Sequence, residues 1–349
     1  MPDFLEALNQ EIGLRRTELE EKVDTIYFGG GTPSSLDIKS LKLILDSVRN
    51  SFELSDDFEL TFEMNPEHID QEYIEGLRKI GVNRISLGIQ SFDDDELKLL
   101  GRQHDRKRAL EGLALIRKVG FDNISFDLIM GIPAQSLSKW QQNLDQALAF
   151  RPEHLSIYML SIEEGTPFEH AVKSGKMKAP SADLQAELYR HTYQILCKNG
   201  YDPYEISNYS LPGFRSKHNS AYWKQSSYLG LGPSAHSYLE NTRSFNPPDL
   251  KDYLSKLKEG ILPGRIETRN SANVFNEFIL SSLRRSEGID LEEFKDAFGK
   301  QELNDLLVKA KTFIASNELL QEEGRLFLSL EGRLIADQIS MNLFLDDDS

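Results

Sequence analysis

The stretch TIYFGGGTPSSL, Thr25 to Leu36, joins an apolar β-type run, Ile26-Tyr27-Phe28, to three consecutive glycines, Gly29, Gly30 and Gly31. Thr32-Pro33 and a helical pattern opening near Asp37 follow. That order predicts a strand, a glycine turn and a helix. Glycines reach backbone conformations that other residues avoid and carry no side chain, so the turn offers main-chain N–H groups to a polar small molecule. A tight turn without a ligand satisfies the same residues, and the rest of the chain has to decide between the two.

Outward from this stretch, residues 3–21 read as an amphipathic helix, and further helices are expected over about 37–50, 70–79, 105–119 and 138–150, with one more ending near Arg102. Between them lie four more strand patterns. Phe58-Glu59-Leu60-Thr61-Phe62 ends in Glu63, Arg84 to Ile89 ends in Gln90, Ile124 to Ile129 contains Asp127, and His154 to Leu160 trails into Ser161. Strands alternating with helices predict parallel strands joined by right-handed crossovers, in an open doubly wound sheet or a full or partial β/α barrel. Both architectures bind ligands at the carboxyl ends of the strands, where Gly30, Glu63, Gln90, Asp127 and Ser161 fall. Singly, each is an ordinary strand end or helix cap; their recurrence at successive strand ends points to one rim.

Beyond about residue 171 the pattern loosens into a charged connector ending at Pro180, a helix over 181–198 and a short strand with a turn between Tyr201 and Tyr209. A polar-aromatic block follows, Arg215 to Trp223 (RSKHNSAYW), and then YLGLGPSAHS at 228–237. Asn246-Pro247-Pro248 is the expected boundary between a unit of residues 1–245 and a mostly helical one of 246–349, the latter with short β segments at 326–329 and near Leu334.

With 40 Lys+Arg against 56 Asp+Glu, the net charge of −16 argues against a general nucleic-acid or anionic-membrane binder. The opening residues show neither signal-peptide nor presequence character, and no transmembrane stretch is visible, so a cytoplasmic protein is expected. The one cysteine, Cys197, falls in a helical pattern and reads as a small core residue, which leaves no multi-cysteine metal site.

GGGTP at 29–33, FEMNP at 62–66, GVNRISLGIQSF at 81–92, LGRQH at 100–104, DLIMGIP at 127–133 and YLGLGPSAH at 228–236 together resemble one family. It is the radical S-adenosylmethionine family of oxygen-independent coproporphyrinogen III oxidases and their heme-chaperone relatives. The resemblance implies an α/β fold, a partial (β/α)6 barrel followed by a helical C-terminal domain. It also implies that Gly30, Gly31 and Thr32 hold the methionine end of S-adenosylmethionine, that Glu63, Gln90, Arg102 and Asp127 contact the rest of it, and that Ser161 supplies a backbone contact. Arg102 is the expected partner of its carboxylate.

Members of that family carry CxxxCxxC after the first barrel strand, three thiolates for a [4Fe-4S] cluster, and this sequence has no such motif. The resemblance therefore implies a chain whose first strand and cluster loop are missing. An in-frame upstream extension of roughly 20–40 residues is expected, with a cluster-less paralogue as the alternative. HNSAYW at 218–223 fits the HNxxYW pattern of the heme-chaperone branch, which makes His218 a candidate ligand to heme iron beside Tyr222 and Trp223. The expected function is a heme chaperone that binds S-adenosylmethionine and heme and passes heme to an acceptor protein. A porphyrinogen oxidase and an interaction protein that keeps the barrel only as a scaffold are the alternatives.

Overall fold

A computed structural model describes residues 2–239 and 241–345. The chain opens with α1 (Pro2–Leu14), β1 (Val23–Phe28), α2 (Ile38–Ser51), β2 (Leu54–Met64), α3 (Gln71–Ile80) and β3 (Arg84–Gln90). It continues through α4 (Asp94–Leu99), α5 (Arg106–Val119), β4 (Ile124–Met130), α6 (Leu137–Phe150) and β5 (His154–Met159). Helices α7 (Pro167–Lys173) and α8 (Ala182–Lys198) lead to β6 (Asn208–Ser210) and α9 (Lys217–Trp223).

Strands β1 to β5 run parallel in sequence order and β6 closes on β5 antiparallel, giving a curled six-stranded half-barrel. The helix caps explain the crossovers: Asp37, Asp70, Asp105 and Ser136 each accept a first-turn N–H, and Gly81 and Gly120 end α3 and α5 in the left-handed conformation. Leu60, Phe62, Ile85, Leu87, Phe126 and Leu155 on the outer face pack against Leu41, Leu77, Leu113 and Trp140 of the helices in the main core.

A parallel sheet covered on both faces normally reads as continuous apolar strands. Here most alternate residues are polar, and the register lines these residues up across the concave face: Tyr27 opposite Thr61, Thr61 opposite Arg84, Glu63 opposite Ser86, Ser86 opposite Ser125, Asp127 opposite Ser156. The inner face is thus built for hydrogen bonding rather than for core.

After α9 come β7 (His236–Leu239), β8 (Thr242–Phe245), α10 (Leu250–Lys258) and β9 (Arg265–Ile266), with the three strands forming a small antiparallel sheet. Buried Glu11 of α1 ties this part to the barrel, accepting hydrogen bonds from Gly232 N (2.8 Å), Asn246 Nδ2 (2.7 Å) and the Tyr253 hydroxyl (2.6 Å). The remaining residues are α11 (Ser271–Arg284), β10 (Ile289–Asp290), α12 (Leu291–Phe298), α13 (Lys300–Ala315), β11 (Leu319–Glu322), β12 (Arg325–Leu328), α14 (Leu330–Leu334) and α15 (Ala336–Leu343). They share a second core around Phe275, Ile279, Phe294, Leu306 and Ile339.

Local differences from the sequence expectation have local causes. The first helix stops at Leu14 and the chain turns just beyond it, Glu18 N donating to Arg15 O at 3.0 Å while the buried Arg15 guanidinium donates to Gly230 O at 2.9 Å. The charged connector starts with α7, capped by Thr166 and opened by Pro167. The segment ending at Leu334 is helical, because Ser329 caps it by accepting from Gly332 N. No helix among the described residues is long and apolar enough to cross a membrane.

Candidate functional site

The three glycines at the end of β1 serve different needs. Gly30 and Gly31 adopt φ of 76° and 61°, the left-handed region, with open space where a side chain would stand. A Cβ on Gly29 would overlap the Tyr27 ring and come 3.1 Å from Glu63 Cδ. The turn therefore sits directly on the Tyr27–Glu63 pair. Tyr27 donates its hydroxyl to Glu63 Oε1 at 2.5 Å, and Gly30 N donates to Glu63 Oε2 at 3.2 Å. Thr32 follows, exposed, with no side-chain bond into the short 3-10 turn it precedes.

On the other side of Tyr27 lies His218, its ring stacked on the phenol at 4.6 Å between centroids and 22° between planes. Thr25, two residues back on the same face of β1, places its Oγ1 3.0 Å from His218 Nδ1. Glu59, opposite Thr25 in β2, anchors the start of α9 by accepting the N–H groups of Lys217 (3.1 Å) and His218 (3.2 Å). Ser216 caps the same helix through Asn219 N. Burial holds the His218 pKa below the usual imidazole value, against the pull of Glu59, so the ring is neutral at pH 7.

Gln90 ends β3 at φ 67°, where the register with β4 slips, and its Nε2 lies 3.0 Å from where a Cβ on Gly88 would stand. Asp127 accepts from the Ser86 hydroxyl at 3.3 and 3.4 Å, and its pKa is pushed up to about 6, chiefly by burial and further by the Glu63 carboxylate. Arg102 lies between α4 and α5, half-buried, with no side-chain hydrogen bond or ion pair among the described residues. Ser161 is exposed beyond β5, and its hydroxyl turns to Glu163.

Beside β1 opens a cavity of about 1820 Å³, larger than the ~300–1,000 Å³ of a common small-molecule site. β1 pairs only with β2 among the described residues, and all six of its residues line this space. Phe4, Leu8 and Ile12 of α1 supply an apolar wall. Gly30, Tyr27, His218, Tyr222 and Tyr228 supply a polar and aromatic one. Tyr222 and Tyr228 stack at 4.9 Å, their hydroxyls 3.2 Å apart.

Of the residues the sequence singles out, Gly30, Thr32 and His218 line the cavity, and Glu63 reaches it through Tyr27 and Gly30; Gly31, Gln90, Arg102, Asp127 and Ser161 stand outside its lining. Trp223 is also outside, held under the Arg284 guanidinium at 4.7 Å. His236 lines the same cavity, exposed and stacked on Phe245 at 5.6 Å. Thr25, Tyr27, Glu59 and Tyr228 escape the sequence reading; for the first three, the polar alternation within the strands was the available signal. Deeper in the barrel, His154 bonds Ser125 and Tyr204 at 2.7 Å each, beside buried Arg84, whose Nε has no partner.

The radical SAM superfamily model matches residues 6–147, and the HemN C-terminal domain model matches 271–335. The chain is 32% identical to heme chaperone HemW of Bacillus subtilis, over 97% of this chain and 90% of that one. It is 34% identical to heme chaperone HemW of Lactococcus lactis, over 99% and 90%. It is also 34% identical to the bovine mitochondrial radical S-adenosyl methionine domain-containing protein 1, over 92% and 76%. Among solved structures, coproporphyrinogen III oxidase (HemN) from Escherichia coli shares the fold, with a TM-score of 0.82 at 22% identity, covering 98% of this chain and 83% of that one. With identities of 32% and 34% to two heme chaperones over nearly its whole length, the chain belongs to the HemW family of the radical SAM superfamily.

Proposed function

We propose that this protein binds heme at His218 and passes it to an acceptor protein. The arrangement of His218 carries the reading. Its Nδ1 is engaged by Thr25, burial keeps the ring neutral, and Nε2 has no hydrogen-bond partner among the described residues. An imidazole oriented through one nitrogen is ready to offer the other to iron. The Tyr222–Tyr228 stack beside it suits the face of a flat macrocycle. His236 is the rival ligand.

Radical SAM proteins use S-adenosylmethionine together with a [4Fe-4S] cluster. The residues present fit the first. The left-handed turn at Gly30 and Gly31 has open space above it, Glu63 offers a carboxylate to an ammonium, and the unpaired Arg102 guanidinium suits a carboxylate. Gln90 and Asp127 supply acceptors for ribose hydroxyls. When bound, S-adenosylmethionine supplies a sulfonium and an ammonium beside these oxygens. The residues do not fit the cluster: the sequence has one cysteine, Cys197 on α8, and no group of three His, Cys, Asp or Glu able to hold a metal occurs among the described residues.

Anaerobic titration with heme, and separately with S-adenosylmethionine, tests the proposal. About one heme retained per chain is the expected outcome. Retention of S-adenosylmethionine without heme would overturn the chaperone reading in favour of an oxidase, and binding of neither would leave only a scaffold.

A further inference from the structure

We infer that Tyr27 is a positioning residue that couples the glycine turn to His218, so that S-adenosylmethionine at the turn loosens the imidazole and promotes release of its ligand. The inference rests on the proposed use of Glu63 and His218. One side chain joins the two sites. The Tyr27 ring lies on the face of His218 at 4.6 Å, and its hydroxyl gives Glu63 Oε1 a 2.5 Å hydrogen bond. The second Glu63 oxygen takes the Gly30 N–H at the longer distance of 3.2 Å. Every donor on this carboxylate therefore belongs either to the turn or to the support of the imidazole.

An ammonium arriving at the turn is a charged donor, stronger than either a phenol or an amide N–H. It competes for the same two oxygens, and a carboxylate drawn toward it leaves the half-buried phenol without its acceptor. An unpaired phenol in that position is costly, so it must turn toward another acceptor or water, and the ring turns with it. Gly29 makes this transmission tight, since even a methyl group there would meet both the Tyr27 ring and Glu63. On its far edge the His218 ring has Thr25 Oγ1 at 3.0 Å as its one side-chain hydrogen-bond partner among the described residues. With the phenol clamped the imidazole is held for a ligand; with it released the imidazole gains freedom and the ligand loses affinity. By linkage, heme weakens S-adenosylmethionine by the same factor.

The test uses the full chain with ring-labelled histidine, the His218 signals being assigned by their loss in His218→Gln. S-adenosylmethionine binding is measured by calorimetry, the His218 ring signals by NMR, and the heme Kd with and without saturating S-adenosylmethionine. In the wild type, the His218 signals should move and the heme Kd should rise about fivefold or more. In Tyr27→Phe, which keeps the stacked ring and loses the hydroxyl, S-adenosylmethionine should still bind, the His218 signals should stay in place, and the heme Kd should not respond. Circular dichroism and a thermal melt establish that the variant is folded; should it fail to fold, Tyr27→Leu, which also lacks the hydroxyl and leaves Glu63 in place, is measured instead and should likewise bind S-adenosylmethionine and lose the response. Binding in the wild type with no movement of His218, or an equal response in Tyr27→Phe, overturns the coupling alone. Absence of any S-adenosylmethionine isotherm removes the cosubstrate reading and the coupling with it.

Discussion

Asp127 shows how much a single carboxyl gives away to occupy the lumen. Burial raises its pKa from 3.8 to about 6, with Ser156 opposing the rise and Glu63 adding to it. Between those two values the folded protein keeps a proton that the unfolded chain has lost, so stability falls as pH rises through the window, and the whole cost is present above pH 6. Asp127→Asn should therefore be more stable than the wild type at pH 7.5, by roughly 1–3 kcal/mol on the size of the shift, and the advantage should vanish below pH 4. Thermal melts at the two pH values check this; an equal gain at both would mean that packing, not ionisation, sets the cost. His218 shifts the other way for the same reason, since burial disfavours its charged form. A group whose burial works against it at neutral pH marks a site more readily than it marks a core.

The strand-turn-helix unit from β1 to α2 was legible because its signals are local: an apolar run, three glycines and a capping Asp37 within a dozen or so residues. What each glycine does was not legible, since the partners of Gly29 are Tyr27 in front and Glu63 on the next strand. Gly29→Ala should push the Tyr27 ring off Glu63 and lower stability by about 1–3 kcal/mol through overpacking. Gly31→Ala, with open space but φ of 61°, should cost about 1–2 kcal/mol from backbone strain alone. Urea denaturation gives both values, and the Tyr27 signals by NMR should change in the first variant only. Helix α9 was hidden from a periodicity reading because its seven residues are polar and aromatic rather than striped; Glu59 and Ser216 fix its start. The alternation of polar and apolar residues in β2 to β5 stood in plain view, and it says which face of the sheet is the working one.

At the scale of the whole molecule, six short motifs spread over most of the chain identified the family, and the rim formed by the strand ends follows from topology. The pairings that make the site do not: Tyr27 meets Glu63 across 36 positions and Thr25 meets His218 across 193. No periodicity carries such contacts. The lone cysteine predicts that these 349 residues, reconstituted anaerobically with iron and sulfide, retain no stoichiometric cluster. Iron and labile sulfide analysis checks it, and about four of each per chain after desalting would contradict it. The most direct test of the account is the heme spectrum of four forms of the chain: wild type, His218→Ala, His236→Ala and Cys197→Ser. The wild type should give a Soret band that shifts, with loss of affinity, in His218→Ala and stays nearly unchanged in the other two. A folded His218→Ala that keeps the wild-type band and affinity would contradict the central claim.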